Sequence, residues 1–148
     1  MIAWEGVVDV PVLPLSWLSS EFDPVRLRGF ARRNQIRSAE APLYVPINVV
    51  RGEVYFEDDF LEGDLGVRLA LGVDRRDPWL APSTPEAAGA AVEVPGRVSL
   101  NFDLGIRIID GLIFWRIDNI ASRQQQDLPG FQFPLRRQVF GVRWAFRD

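Results

Sequence analysis

From Arg97 to Ile108 the chain alternates without a fault: Val98, Leu100, Phe102, Leu104, Ile106 and Ile108 on one parity, Arg97, Ser99, Asn101, Asp103, Gly105 and Arg107 on the other. Successive side chains of a strand point to opposite faces, so this pattern predicts a strand with one apolar and one polar face. Asp64 to Asp74 repeats it, with Leu65, Val67, Leu69, Leu71 and Val73 against Gly66, Arg68, Ala70 and Gly72. Val49 to Asp58 sets Val50, Val54 and Phe56 against Arg51, Glu53, Tyr55 and Glu57, and the final stretch sets Phe140, Val142, Trp144 and Phe146 against Arg137, Val139, Gly141, Arg143 and Ala145. Leu112 to Ile117 lies between Asp110-Gly111, a hairpin-turn signal, and Asn119, and reads as a further strand. Val25 to Arg33 alternates more loosely, and Trp4 to Leu18 is interrupted by Pro11 and Pro14. The expectation is an all-β chain, an antiparallel up-and-down meander of about seven strands with no helix.

The connections between these segments are unequal in a regular way. Ser19 to Asp23, Asp59 to Gly63 and Ile109 to Gly111 are short, whereas Gln35 to Ile47, Arg75 to Pro95 and Ile120 to Arg136 are long. Because short and long alternate, a meander collects every short turn at one end and every long loop at the other, as in outer-membrane barrels. Arg75 to Pro95, with Pro78, Pro82 and Pro85, reads as a solvated excursion without a packed element.

Strand length separates a membrane wall from an ordinary soluble sheet. The stretch from Val98 to Ile108 rises about 36 Å at ~3.3 Å per residue, and a tilt of ~40° projects this to roughly 28 Å, the height of an outer-membrane apolar band. Soluble strands usually stop near five or six residues. The expected fold is therefore part of a transmembrane β-barrel whose apolar parity faces outer-membrane lipid. On that assignment Arg68, Arg97, Asn101, Asp103 and Arg107 face the lumen. Trp4, Trp17, Trp79, Trp115 and Trp144 are candidates for interfacial girdles or for a core, with Trp144 the foremost girdle residue.

Composition narrows the function more than the fold. A chain of 148 residues is read as a single unit, residues 1–148. With 17 basic against 20 acidic residues there is no strong field, and nucleic acid is not an expected partner. Every basic residue is arginine, which suits fixed, forked charges in a polar wall. Cysteine and histidine are absent, which removes disulfides, thiol nucleophiles, imidazole bases and the commonest zinc ligands, so neither a cofactor nor a metal centre is expected. The acidic run Glu57-Asp58-Asp59 falls at a short turn, where charges are normally solvated, and no enzyme activity is expected. Met1 to Leu18 carries Glu5 and Asp9 and does not read as a leader, and no apolar run reaches the length of a transmembrane helix.

The last third carries a resemblance. Leu112-Ile113-Phe114-Trp115-Arg116-Ile117-Asp118-Asn119, Asp127-Leu128-Pro129-Gly130-Phe131, Pro134-Leu135-Arg136-Arg137 and Phe140-Gly141-Val142-Arg143-Trp144-Ala145-Phe146 resemble the closing region of TonB-dependent outer-membrane receptors. In that family the penultimate strand ends in Asn, a long external loop carries Pro-Gly and Pro-x-Arg, and the last strand ends in an aromatic. The resemblance is specific over residues 97–146 and implies a closing motif of Asn119, Pro129, Gly130, Pro134, Arg137, Trp144 and Phe146. It implies an outer-membrane location, uptake of siderophore-iron, cobalamin or a similar nutrient, and the rest of a barrel of about twenty-two strands with its plug as partner, TonB being reached only through that plug. No plug or TonB-box segment is legible, and Arg147-Asp148 follow the terminal aromatic, so the expectation is the C-terminal portion of a receptor from a truncated or split reading frame, not competent for transport alone. The alternative is a small closed barrel, lipocalin-like or outer-membrane, in which the lipocalin-like form turns Leu100, Phe102 and Leu104 inward around a hydrophobic ligand.

Overall fold

The structure is a computed structural model that describes residues 2–18, 22–35, 45–82 and 91–144. The strands are β1 (Ile2–Leu13), β2 (Val25–Gln35), β3 (Asn48–Phe60), β4 (Leu65–Arg76), β5 (Trp79–Pro82), β6 (Ala91–Val94), β7 (Arg97–Ile108), β8 (Gly111–Asp118), β9 (Gln125–Leu128), β10 (Phe131–Phe133) and β11 (Arg137–Trp144). Seven of them form one antiparallel sheet in the order β1-β2-β3-β4-β7-β8-β11. The remaining four make two hairpins, β5–β6 and β9–β10, each inside a long connection.

Pairing is continuous where the alternation is strictest. β4 and β7 run in register from Leu65 opposite Ile108 to Arg76 opposite Arg97 without a shift. A register slip by one residue would exchange the two faces of a strand, so this pattern fixes the pairing. Pro11 is accommodated because β1 is an edge strand, and the register shifts between Pro11 and Leu13. The sheet is open: β1 and β11 each have one neighbour, and an odd number of antiparallel strands makes these two edges run in the same direction.

At one end two of the three turns are tight, but the β1–β2 connection is not the short Ser19 to Asp23 expected: β1 stops at Leu13, next to Pro14, so it runs over residues 14–24. The β7–β8 turn consists of Ile109 and Asp110, with Gly111 already in β8, one residue earlier than the Asp-Gly signal implies. Ile109 is held at φ 52°, a conformation disfavoured for a β-branched residue, and its N–H donates to the carbonyl of Asp64 in the adjacent β3–β4 turn at 2.8 Å. At the other end, the described residues of Arg75 to Pro95 are not the solvated excursion expected from its prolines: Trp79–Pro82 pairs with Ala91–Val94 as the β5–β6 hairpin, whose Trp79, Ala81 and Val94 form a small buried cluster.

Cross-strand register sorts the sheet into two unlike faces. One carries Trp4, Val8 and Val10 of β1, Leu27 of β2, Val54 and Phe56 of β3, Leu65 to Val73 of β4, Val98 to Ile108 of β7, Ile113 and Trp115 of β8, and Phe140 and Val142 of β11. The other carries nearly all the charge. Their exposures are inverted relative to a soluble sheet: Leu71 is 59% exposed and Leu100 46%, whereas Ala70 and Tyr55 on the charged face are buried. The charged face is the sheltered, concave one.

Candidate functional site

The concave face is a wall of alternating charge. Across β1, β2, β3, β4, β7 and β8 the sign changes at every strand, through Asp9, Arg28, Glu53, Arg68, Asp103 and Arg116. Asp9 pairs with Arg26 at 2.9 Å and with Arg28 at 3.2 Å. Arg28 reaches Glu53 at 3.3 Å, Glu53 reaches Arg68 at 3.2 Å, and Arg68 reaches Glu57 at 2.8 Å. Further along, Asp103 pairs with Arg116 and Asp118 with Arg137, both at 2.8 Å. Forked guanidinium donors on facing strands suit this arrangement better than ammonium groups would.

Tyr55 is the hinge of the ladder. It is 5% exposed, its hydroxyl accepts from Arg28 Nη2 at 3.1 Å and donates to Asp9 Oδ2 at 3.0 Å. The guanidinium carbons of Arg28 and Arg68 lie 4.7 and 5.2 Å from its ring centroid, within cation–π range. The alternation places Tyr55 on the polar parity, but its burial arises from two long arginines folding over it, which strand parity does not encode.

Small residues leave room for these pairs. Arg107 and Asp59 meet at 2.6 Å across Gly66, whose missing Cβ would lie 2.7 Å from Asp59 Oδ1. Two concavities of about 550 and about 570 Å³ lie along this face, sharing Arg68, Asp103 and Arg116 as walls. Arg68, Arg97, Asn101, Asp103 and Arg107 thus share one face, as parity requires, and Arg97 sits at its long-loop end, 4.7 Å from the Phe133 ring centroid.

The acidic run does not converge. Glu57 and Asp59 point to the concave side, toward Arg68 and Arg107, whereas Asp58 lies on the apolar parity and accepts the N–H of Asp23 at 3.1 Å. Among the described residues no group of carboxylates is placed to hold a metal ion.

The closing-motif residues separate into three places. Asn119 is 1% exposed with φ 54°, a left-handed position that Asn tolerates. Its carboxamide nitrogen faces the carbonyls of Arg123, Pro134 and Leu135, and its oxygen accepts the N–H of Arg123. It therefore ties both ends of the β8–β11 connection together, with Arg137 beside it on Asp118. Pro129 and Gly130 form the tip of the β9–β10 hairpin, where φ 77° at Gly130 matches a type II turn. Trp144 lies at the opposite, short-turn end over Gly111, and Phe146 lies outside the described residues.

The long-loop end contains features that alternation does not announce. Arg76 stacks on Trp79 at 3.6 Å, so Trp79 is a core residue of the loop hairpin and not part of a girdle. Arg76 also donates to the Gln126 carbonyl at 3.4 Å, and Gln125 Nε2 donates to the carbonyl of Val98 at 2.7 Å, fastening the β9–β10 hairpin to the sheet.

No protein-family model, curated protein or solved structure matches this chain. Among the described residues no helix is long and apolar enough to cross a membrane, which leaves crossing by strands open.

Proposed function

We propose that this chain forms part of the wall of a transmembrane β-barrel in a bacterial outer membrane, and that it is the C-terminal portion of a TonB-dependent receptor for siderophore-iron, cobalamin or a similar nutrient. The observation that carries the wall reading is the inversion of the sheet: its continuous apolar face is the exposed one and its charged face is the sheltered one. Water penalises such a surface, whereas lipid on one side and a hydrated lumen on the other satisfy both faces. From β3 onward, tight β3–β4 and β7–β8 turns at one end against long β4–β7 and β8–β11 connections at the other support the same reading.

The receptor reading rests on the residues resembling its closing region, and Asn119 supports it by occupying the junction between penultimate strand, external loop and last strand. Strand parity supports a partial wall over a self-closed one. β1 and β11 run in the same direction, so joining them within one chain, or between copies arranged in a ring, makes a parallel seam. A barrel that is antiparallel throughout needs an even total, so the remaining wall supplies an odd number of strands. A lipocalin-like barrel would need the apolar parity on the concave side.

The test is a substitution with opposite consequences in the two solvents. Leu71 lies mid-sheet on the apolar face, 59% exposed. Leu71→Arg is expected to cost about 2–4 kcal/mol of folding in phospholipid vesicles, where it faces hydrocarbon. A wild-type chain that folds as a soluble monomer without detergent, with Leu71→Arg neutral, would overturn the membrane reading.

A further inference from the structure

On the apolar face, register leaves three charged side chains among the described strand residues: Arg33, Arg75 and Asp58. Their positions are not scattered. Asp58 lies toward the short-turn end and is engaged by the Asp23 N–H. Arg33 and Arg75 both lie toward the long-loop border, in the last two rows of the apolar face: Arg33 stands between Trp4 and Asn48, and Arg75 between Val50 and Val98.

Most guanidinium groups of the concave face lie within 3.3 Å of a carboxylate, and these two do not. Arg33 is exposed and makes no ion pair among the described residues, and Arg75, with its side chain 66% exposed, approaches Asp77 at 3.9 Å. The Asp77 carboxylate already accepts Asn48 Nδ2 at 2.5 Å. The opposite border carries no arginine: its outermost row holds Phe60, Leu65, Ile108 and Trp144, and the row behind it holds Asp58. Trp4, 64% exposed beside Arg33, has the amphipathic character of a headgroup-level residue.

We propose that Arg33 and Arg75 form a binding rim for net anionic phospholipid headgroups at the long-loop border of the apolar face. This rests on the membrane-wall reading above. Lipid phosphates supply what the sheet does not, a layer of negative charge at the height where hydrocarbon ends. Guanidinium forks take phosphate oxygens in pairs, and long arginine stems reach from the belt to that layer. Attraction of a cation to an anionic surface falls away within a Debye length, so only residues at the border benefit.

The experiment compares the folded, vesicle-bound fraction in pure phosphatidylcholine with that in an equal mixture of phosphatidylcholine and phosphatidylglycerol. Wild type is expected to prefer the mixed vesicles by about fivefold per arginine, and to lose this preference at high salt. Arg33→Gln/Arg75→Gln is expected to match wild type in pure phosphatidylcholine and to lose the preference, each single variant losing part of it. Arg33→Lys/Arg75→Lys retains most of it. Insertion of wild type into both vesicles without preference overturns the rim and leaves the wall standing, as does a preference that survives the double Gln variant. Failure of wild type to fold into either vesicle overturns the wall itself.

Discussion

Arg107 and Asp59 stand on strands that do not touch, yet their ion pair closes at 2.6 Å over Gly66 of the strand between them. A side chain at Gly66 would occupy that path. Gly66→Val is therefore expected to destabilise the folded sheet by about 1 kcal/mol, the upper range for an exposed ion pair. In an Asp59→Asn background the cost should shrink toward zero, and urea unfolding of the four proteins in micelles measures the coupling.

Tyr55 couples β1 to β2 through its hydroxyl and to β4 through its ring. Tyr55→Phe is expected to cost about 1 kcal/mol, leaving Asp9 and Arg28 paired with each other but without the buried bridge. Tyr55→Leu should cost more, because the cation–π contacts go as well. Equilibrium unfolding orders the three proteins, and equal stability of Tyr55→Phe and wild type would remove the hydroxyl from the account.

Asn119 combines a left-handed backbone with a carboxamide that joins distant carbonyls. Asn119→Ala loses both advantages and Asn119→Gly only the second, so Ala should be the worse by about 1 kcal/mol. Arg123 and Arg136 flank the loop that Asn119 holds. Tryptic cleavage after them is expected to accelerate roughly tenfold in Asn119→Ala, with cleavage elsewhere unchanged.

Ile109 is strained where little is gained from its side chain, which is 63% exposed. Ile109→Asn should stabilise the β7–β8 turn by about 1 kcal/mol, since Asn accepts the left-handed conformation. A lower unfolding midpoint for this variant would mean that the side chain contributes more than its exposure indicates.

Much of this architecture is written in the chain. Period-two alternation places β4 and β7 almost to the residue, because one register error would reverse every side chain from Leu65 to Arg76. It also puts the five arginines and polar residues assigned to the lumen on one face. The two loop hairpins are not legible in the same way. β5 has four residues ending in Pro82, and its stability comes from Trp79 packing under Arg76, a contact between neighbours in space that alternation over so short a run cannot signal. Asn119 is visible as a strand terminator, but its bonds to Pro134 and Leu135 depend on where an eighteen-residue connection returns.

The strand-by-strand change of sign also determines what the concave face does to a nearby ion. Asp9, Glu53 and Glu57 balance Arg26, Arg28 and Arg68 in number, and opposite signs stand one strand apart. A pattern that reverses over ~5 Å cancels its own field within about that distance of the surface. A solute held further from this stretch of wall meets neither attraction nor repulsion, and cations and anions are treated alike. At contact distance the same face presents hydrogen-bonding groups to whatever touches it.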